Sequence, residues 1–126
     1  MKEVLIVDDE FDLTSTIKAV LQHHGYRAVS CSTGKEALHC MKEKRPDLVL
    51  LDVMIPLNNG YEVLDKVRLM PEFAGTPVIL MNSVPPPEER QITWQAFLKK
   101  PLSVHSLLEA VQSLIGTAGE PSTADG

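Results

Sequence analysis

Apolar and polar positions along the chain fall into two alternating patterns. Val4-Leu5-Ile6-Val7, Leu48-Val49-Leu50-Leu51 and Val78-Ile79-Leu80-Met81 are short, unbroken apolar runs, the form a strand takes when both its faces are buried. Ala28-Val29-Ser30-Cys31 and Phe97-Leu98 read as two weaker strands. Between these runs the apolar residues recur at helical spacing. Leu13, Ile17, Val20 and Leu21 predict a first helix, with Gly25 placed to cap its end. Thr33-Gly34-Lys35-Glu36 has the form of a capping box and opens a second helix carrying Ala37, Leu38 and Met41, which stops before Pro46. A loop with Pro56 and Asn58-Asn59-Gly60 leads to a third helix with Tyr61, Leu64 and Val67, and a further loop runs from Pro71 to Pro77. Val104, Leu107, Leu108, Val111, Leu114 and Ile115 form one face of a last helix.

The stretch after the fourth strand breaks the rhythm. Pro85-Pro86-Pro87 removes backbone donors and restricts the preceding residues, so no helix can begin there before about Pro87. The fourth helix is therefore expected to be short, shifted or disordered, with room for a short helix only between Glu88 and Gln95. Strands alternating with helices imply parallel β/α units joined by right-handed crossovers. The expected fold is α/β: a flavodoxin-like (βα)5 three-layer sandwich with a parallel sheet in the order 2-1-3-4-5. Residues 1–116 form this domain, and 117–126, small and polar, form a flexible tail or the start of a linker.

Composition narrows the function. The 126 residues are 44% hydrophobic and 23% charged, enough apolar material for one core without disulfides or a structural metal. A net charge of −5 argues against binding nucleic acid or an anionic membrane through bulk charge. No apolar run approaches membrane-spanning length, and the N-terminus has no signal-peptide anatomy. Cys31 and Cys40 lack CxxC spacing and an obvious redox partner; Cys31 reads as a small buried apolar residue. A reduced, cytoplasmic setting is expected. His23, His24, His39 and Cys40 have no ligand-pair spacing, and no glycine-rich phosphate loop is present.

Candidate chemistry gathers at the strand ends. Asp8 and Asp9 follow the first strand, Asp52 the third, and in the expected strand order these strands are neighbours. A lone Asp at a loop start is commonly a solvated turn residue, but three at one sheet edge would converge and repel. Such a cluster calls for a cation, and Mg²⁺ suits hard oxygen ligands. Lys100 follows the fifth strand at the same edge, placed to hold a phosphate oxygen or pair with a carboxylate. Pro101 fixes the backbone beside it, and a cis bond at this step is compatible with the sequence.

Taken in order, Val7-Asp8-Asp9-Glu10, Asp52 with Met54, Pro56 and Asn59-Gly60, the segment from Tyr61 to Arg68, and Lys100-Pro101 resemble the receiver domain of two-component response regulators over about residues 2 to 116. The resemblance implies that Asp52 is a phosphoacceptor served by the phosphohistidine of a sensor histidine kinase or phosphotransfer protein. It implies Mg²⁺ held by Asp8, Asp9, Asp52 and the Met54 backbone carbonyl, with Lys100 contacting the phosphoryl group or carboxylate. It also implies a switch pair: a hydroxyl residue ending the fourth strand and an aromatic on the fifth. Phe97 fits the aromatic position. The hydroxyl position falls on Asn82 or, one residue on, Ser83. The surface built from the fourth helix, fifth strand and fifth helix is the family's common output and dimerisation face, and it is altered here.

The leading expectation is thus a phosphorylation-dependent signalling switch, with no enzymatic activity beyond self-phosphotransfer and autodephosphorylation. Its partners would be the kinase or phosphotransfer protein and a downstream protein or effector domain, with no direct contact to nucleic acid or membrane. The alternative is a pseudo-receiver, an interaction module whose output is independent of phosphate. An aspartyl-phosphate hydrolase is more remote, because it needs a second acid two residues after the nucleophile, where Met54 stands. Trp94 reads either as a partner anchor or as core filling.

Overall fold

The computed structural model describes residues 1–55 and 59–117. Pro56 and Asn58 of the predicted loop, and the tail from 118 onward, lie outside the described residues. The chain runs β1 (Glu3–Val7), α1 (Phe11–His23), β2 (Arg27–Cys31), α2 (Gly34–Lys44), β3 (Leu48–Asp52) and α3 (Gly60–Leu69). A single 3₁₀ turn (Pro71–Phe73) precedes β4 (Val78–Asn82), β5 (Ala96–Lys99) and α4 (Val104–Ile115). The five strands form one parallel sheet in the order β2-β1-β3-β4-β5, as the alternation of elements predicts.

Side-chain alternation explains the unbroken apolar runs. Leu5, Val7, Val49, Leu51, Val78 and Leu80 face one layer, packed with Ala37, Met41, Val63, Leu64 and Val67 of α2 and α3. Val4, Ile6, Leu48, Leu50, Ile79 and Met81 face the other, against Ile17 and Leu21 of α1 and Leu107 and Val111 of α4. A polar residue in the middle of β1, β3 or β4 would lose its water on either face.

Local chemistry sets the boundaries. Gly25, with φ of 89°, turns the chain out of α1 in the left-handed region where glycine meets no Cβ clash. The Thr33 side chain accepts the Glu36 N–H at 3.2 Å to cap α2. Asn59 opens α3 with a full capping box: its Oδ1 accepts the Glu62 N–H at 3.0 Å, and Glu62 Oε1 accepts the Asn59 N–H at 3.1 Å. Residues 83–95, between β4 and β5, contain turns but no helix, so the short helix allowed by the sequence does not form.

This connection is tied down through Arg68 of α3. Arg68 Nε donates to the Thr93 carbonyl at 2.8 Å, and Nη1 to the carbonyls of Phe73 at 3.1 Å and Thr76 at 2.8 Å. Arg68 Nη2 donates at 3.0 Å to Gln95 Oε1, which also accepts the Val78 N–H at 2.8 Å. Arg90 adds a second tether, an ion pair to Asp65 at 2.6 Å with its guanidinium 4.3 Å from the centre of the Tyr61 ring. Trp94 is half-buried, packed at the edge of the core beside Tyr61.

Candidate functional site

The sheet brings the strand-end acids together. Val7 is in register with Leu51, so the next residues, Asp8 and Asp52, leave neighbouring strands side by side. Their parity continues the face of Ile6 and Leu50, and Ala96 and Leu98 of β5 pack on that same side. Lys100 extends this parity beyond β5, and its N–H donates to the Asn82 carbonyl at 2.8 Å, fixing it against the end of β4. The Lys100–Pro101 peptide is cis.

From there the Lys100 ammonium reaches three carboxylates: Asp8 Oδ2 at 3.0 Å, Glu10 Oε1 at 2.9 Å and Asp52 Oδ2 at 3.2 Å. The second oxygens of the two buried acids are also satisfied. Asp8 Oδ1 accepts the Glu10 N–H at 3.0 Å, and Asp52 Oδ1 accepts the Met54 N–H at 3.2 Å. Asp8 and Asp52 are each 3% exposed, a position carboxylates occupy only when bonded or paired.

The electrostatics follow from this crowding. Burial and the neighbouring Asp8 charge push the Asp52 carboxyl up to about 6, against the opposing pull of the Met54 N–H and Lys100. Burial alone would lower the Lys100 pKa, but the bonds to Glu10 and Asp8 and the charge of Asp52 outweigh it and raise it.

Asp8, Glu10 and Asp52 place carboxylate oxygens within 4.8 Å of one another. Hard, anionic oxygens at this density are the donor set that Mg²⁺ takes, so the residues fit the expected ion. Asp9 is exposed beside this trio and lies outside it, whereas Glu10, not singled out in the sequence, lies inside. The signal for Glu10 was its place in the Asp8-Asp9-Glu10 run, but which acid reaches Lys100 depends on how the chain enters α1. Met54 is 69% exposed, joined to the site through its backbone.

The expected switch residues separate by parity. Asn82 ends β4 half-buried on the face of Leu80, which is in register with Phe97. Phe97 is half-buried against the core on that side. Ser83 follows the strand and is exposed.

Comparison with known proteins decides what this arrangement belongs to. Residues 4–112 match the family of the response regulator receiver domain. The chain belongs to that family. Its members are signalling modules of two-component systems. This receiver domain is 32% identical over 121 residues to the polar-differentiation response regulator DivK of Brucella anthropi, covering 93% of this chain and 98% of that protein. It is 31% identical over 127 residues to the probable transcriptional regulatory protein TcrX of Mycobacterium tuberculosis, covering 98% of this chain but only 53% of that protein. It thus spans about half the length of one relative and nearly the whole of the other. Among solved structures, the chemotaxis response regulator CheY4 of Vibrio cholerae superposes with a TM-score of 0.84 at 29% identity, covering 90% of this chain and 98% of that one. The receiver domain of a sensor histidine kinase from Pseudomonas aeruginosa, with a magnesium ion coordinated in its active site cleft, superposes with a TM-score of 0.82 at 25% identity, covering 92% of this chain and 98% of that one. No helix among the described residues is long and apolar enough to cross a membrane.

Proposed function

We propose that this receiver domain is a phosphorylation-dependent switch in which Asp52 accepts a phosphoryl group from the phosphohistidine of a sensor kinase or phosphotransfer protein. The observation that carries this reading is the buried Asp52 carboxylate, held 3.2 Å from the Lys100 ammonium at the edge where Asp8 and Glu10 converge. An Asp52 oxygen attacks phosphorus, the phosphorus–nitrogen bond breaks, and the imidazole nitrogen of the donor leaves with the bonding pair. Two anions approach in this step, so positive charge must already be in place. Lys100 supplies part of it and can follow a phosphoryl oxygen, since ammonium is a mobile point charge. Asp8, Asp9, Asp52 and the Met54 carbonyl would hold Mg²⁺, with Glu10 an added donor, and the bound ion would supply the remaining charge neutralisation. The Met54 N–H orients the Asp52 carboxylate by binding one of its oxygens.

Asn82 or Ser83 would then donate a hydrogen bond to the phosphoryl group, with Phe97 repacking behind it. Beyond self-phosphotransfer and autodephosphorylation no enzymatic activity is assigned. The setting is cytoplasmic, with a downstream protein or effector domain receiving the output. A second reading, a phosphate-independent pseudo-receiver, is favoured by Asn82 in place of a hydroxyl and by the helix-free connection after it.

Incubation with Mg²⁺ and acetyl phosphate, or with beryllium fluoride, separates the two readings. The switch requires Mg²⁺-dependent modification of the wild-type chain and none of Asp52→Asn. A folded wild-type chain that stays unmodified would leave only the pseudo-receiver.

A further inference from the structure

A cavity of about 780 Å³, within the size range of small-molecule sites, is walled by α1, the end of β2 and α2. It borders the acidic pocket through Asp8 and Asp9 but takes the rest of its wall from other residues. Thr14 of α1 lines it, only 8% exposed, and its Oγ1 has no hydrogen-bond partner among the described residues. Thr16, on the same helix, donates to the Asp12 carbonyl at 3.0 Å, a bond commonly made by a helical hydroxyl. A buried hydroxyl left unbonded costs stability, so Thr14 has a hydrogen bond to gain from a molecule in the cavity. Phe11, at the start of α1, also lines the cavity, yet it is 80% exposed. The half-buried Cys31 and Cys40 add apolar wall.

The charges on this wall are unevenly committed. Asp8 is held by Lys100 at 3.0 Å, and Glu36 Oε1 accepts the Ser32 N–H at 3.0 Å and the Ser32 hydroxyl at 3.2 Å. His39 faces Glu43 at 3.5 Å. Asp9 is exposed and makes no ion pair or side-chain hydrogen bond among the described residues. Against the acids Asp8, Asp9 and Glu36 the wall sets one lysine, Lys35, so it favours a cation. We propose that this cavity binds a small arylalkylamine, its ring against Phe11, Cys31 and Cys40, its ammonium toward Asp9 and a polar group bonded to the Thr14 hydroxyl. The apolar wall calls for the ring, the uncommitted acid for the amine, and the unbonded hydroxyl for the polar group. Asp9 also belongs to the set proposed for Mg²⁺, so ion and amine would compete for it.

The test titrates the full chain with tryptamine, followed by amide chemical shifts, without Mg²⁺ so that its outcome does not depend on the phosphorylation reading. Saturable shifts are expected at Phe11, Thr14, Cys31 and Cys40. Indole-3-propionate, which carries a carboxylate on the same ring, should bind more weakly. Asp9→Asn, an exposed substitution, should weaken tryptamine about threefold. Thr14→Val keeps the shape of the side chain and removes the hydroxyl. It should weaken tryptamine about fivefold while raising the melting temperature of the free protein, since an unbonded buried hydroxyl is lost. A hydroxyl with only a structural role would instead lower that temperature. No saturable shifts at millimolar tryptamine, shifts confined to other surfaces, or equal binding of the carboxylate would overturn the proposal. So would wild-type affinity in both Asp9→Asn and Thr14→Val.

Discussion

Asp52 is both the group on which the proposed chemistry turns and a weak point in the stability of the fold. Its carboxyl is raised from 3.8 to about 6, so between those values the native state binds more protons than the unfolded chain. Unfolding free energy therefore falls as pH rises through this window, and the cost of the buried charge is fully present above about 6. Asp52→Asn mimics the protonated acid at every pH. It should raise stability by about 1–2 kcal/mol at pH 7, with the advantage shrinking toward pH 3.8, while it abolishes phosphorylation. Urea melts of both proteins across this range measure it directly. Lys100→Ala should act in the opposite direction. Removing the cation shared by Asp8, Glu10 and Asp52 leaves buried carboxylates uncompensated, a loss of about 2 kcal/mol at pH 7 that diminishes in acid as they protonate. The same melts test this, and a pH-independent loss would show that Lys100 contributes only packing.

The entry into α3 couples a helix terminus to the phosphoacceptor strand. The Gly60 N–H donates to the Val53 carbonyl at 2.7 Å, and a Cβ on Gly60 would lie 2.5 Å from the Asp52 carbonyl oxygen. No side chain fits there unless α3 moves away from the end of β3. Gly60→Ala should therefore cost about 2 kcal/mol and impair phosphorylation at Asp52, measured by melts and by acetyl-phosphate labelling. Asn59→Ala, which removes only the cap, should cost about 1 kcal/mol and leave labelling largely intact. Arg68 is the corresponding anchor at the other end of α3. With no helix between β4 and β5, its guanidinium satisfies carbonyls that would otherwise be poorly bonded, and burial lowers its pKa without threatening its charge. A proline-opened connection can hold one path because it is fastened to α3, which compensates for the missing helical hydrogen bonds.

The molecule as a whole presents an acidic pocket at one edge of the sheet and a connection without a helix beside β5. The resemblance implies a dimerisation surface built from the fourth helix, fifth strand and fifth helix, and residues 83–95 between β4 and β5 hold no helix. Beryllium fluoride with Mg²⁺ should therefore leave the chain monomeric while it occupies the pocket. Multi-angle light scattering with and without the ligand checks the mass, and a fluoride-dependent dimer would show that another surface serves. The same ligand with Mg²⁺ should raise the melting temperature, since it binds only the folded pocket, and Asp8→Asn should remove most of that shift.

Much of this was legible along the chain. Strand runs apolar at every position can be buried only between two helical layers, so Val4–Val7, Leu48–Leu51 and Val78–Met81 specify a parallel sheet before any contact is known. An acid follows the apolar run of each of two neighbouring strands, so Asp8 and Asp52 could be placed at one edge from strand order alone. The triple proline likewise excluded a full fourth helix. What the sequence could not decide were distances between groups on separate elements. The bond of Glu10 to Lys100, the reach of Lys100 past β4 to three carboxylates and the gathering of carbonyls around Arg68 all depend on how helices seat on the sheet. Periodicity records which face a residue occupies. Only the packed structure fixes which residues of other elements share that face at bonding distance, because register and helix placement arise from the whole core at once.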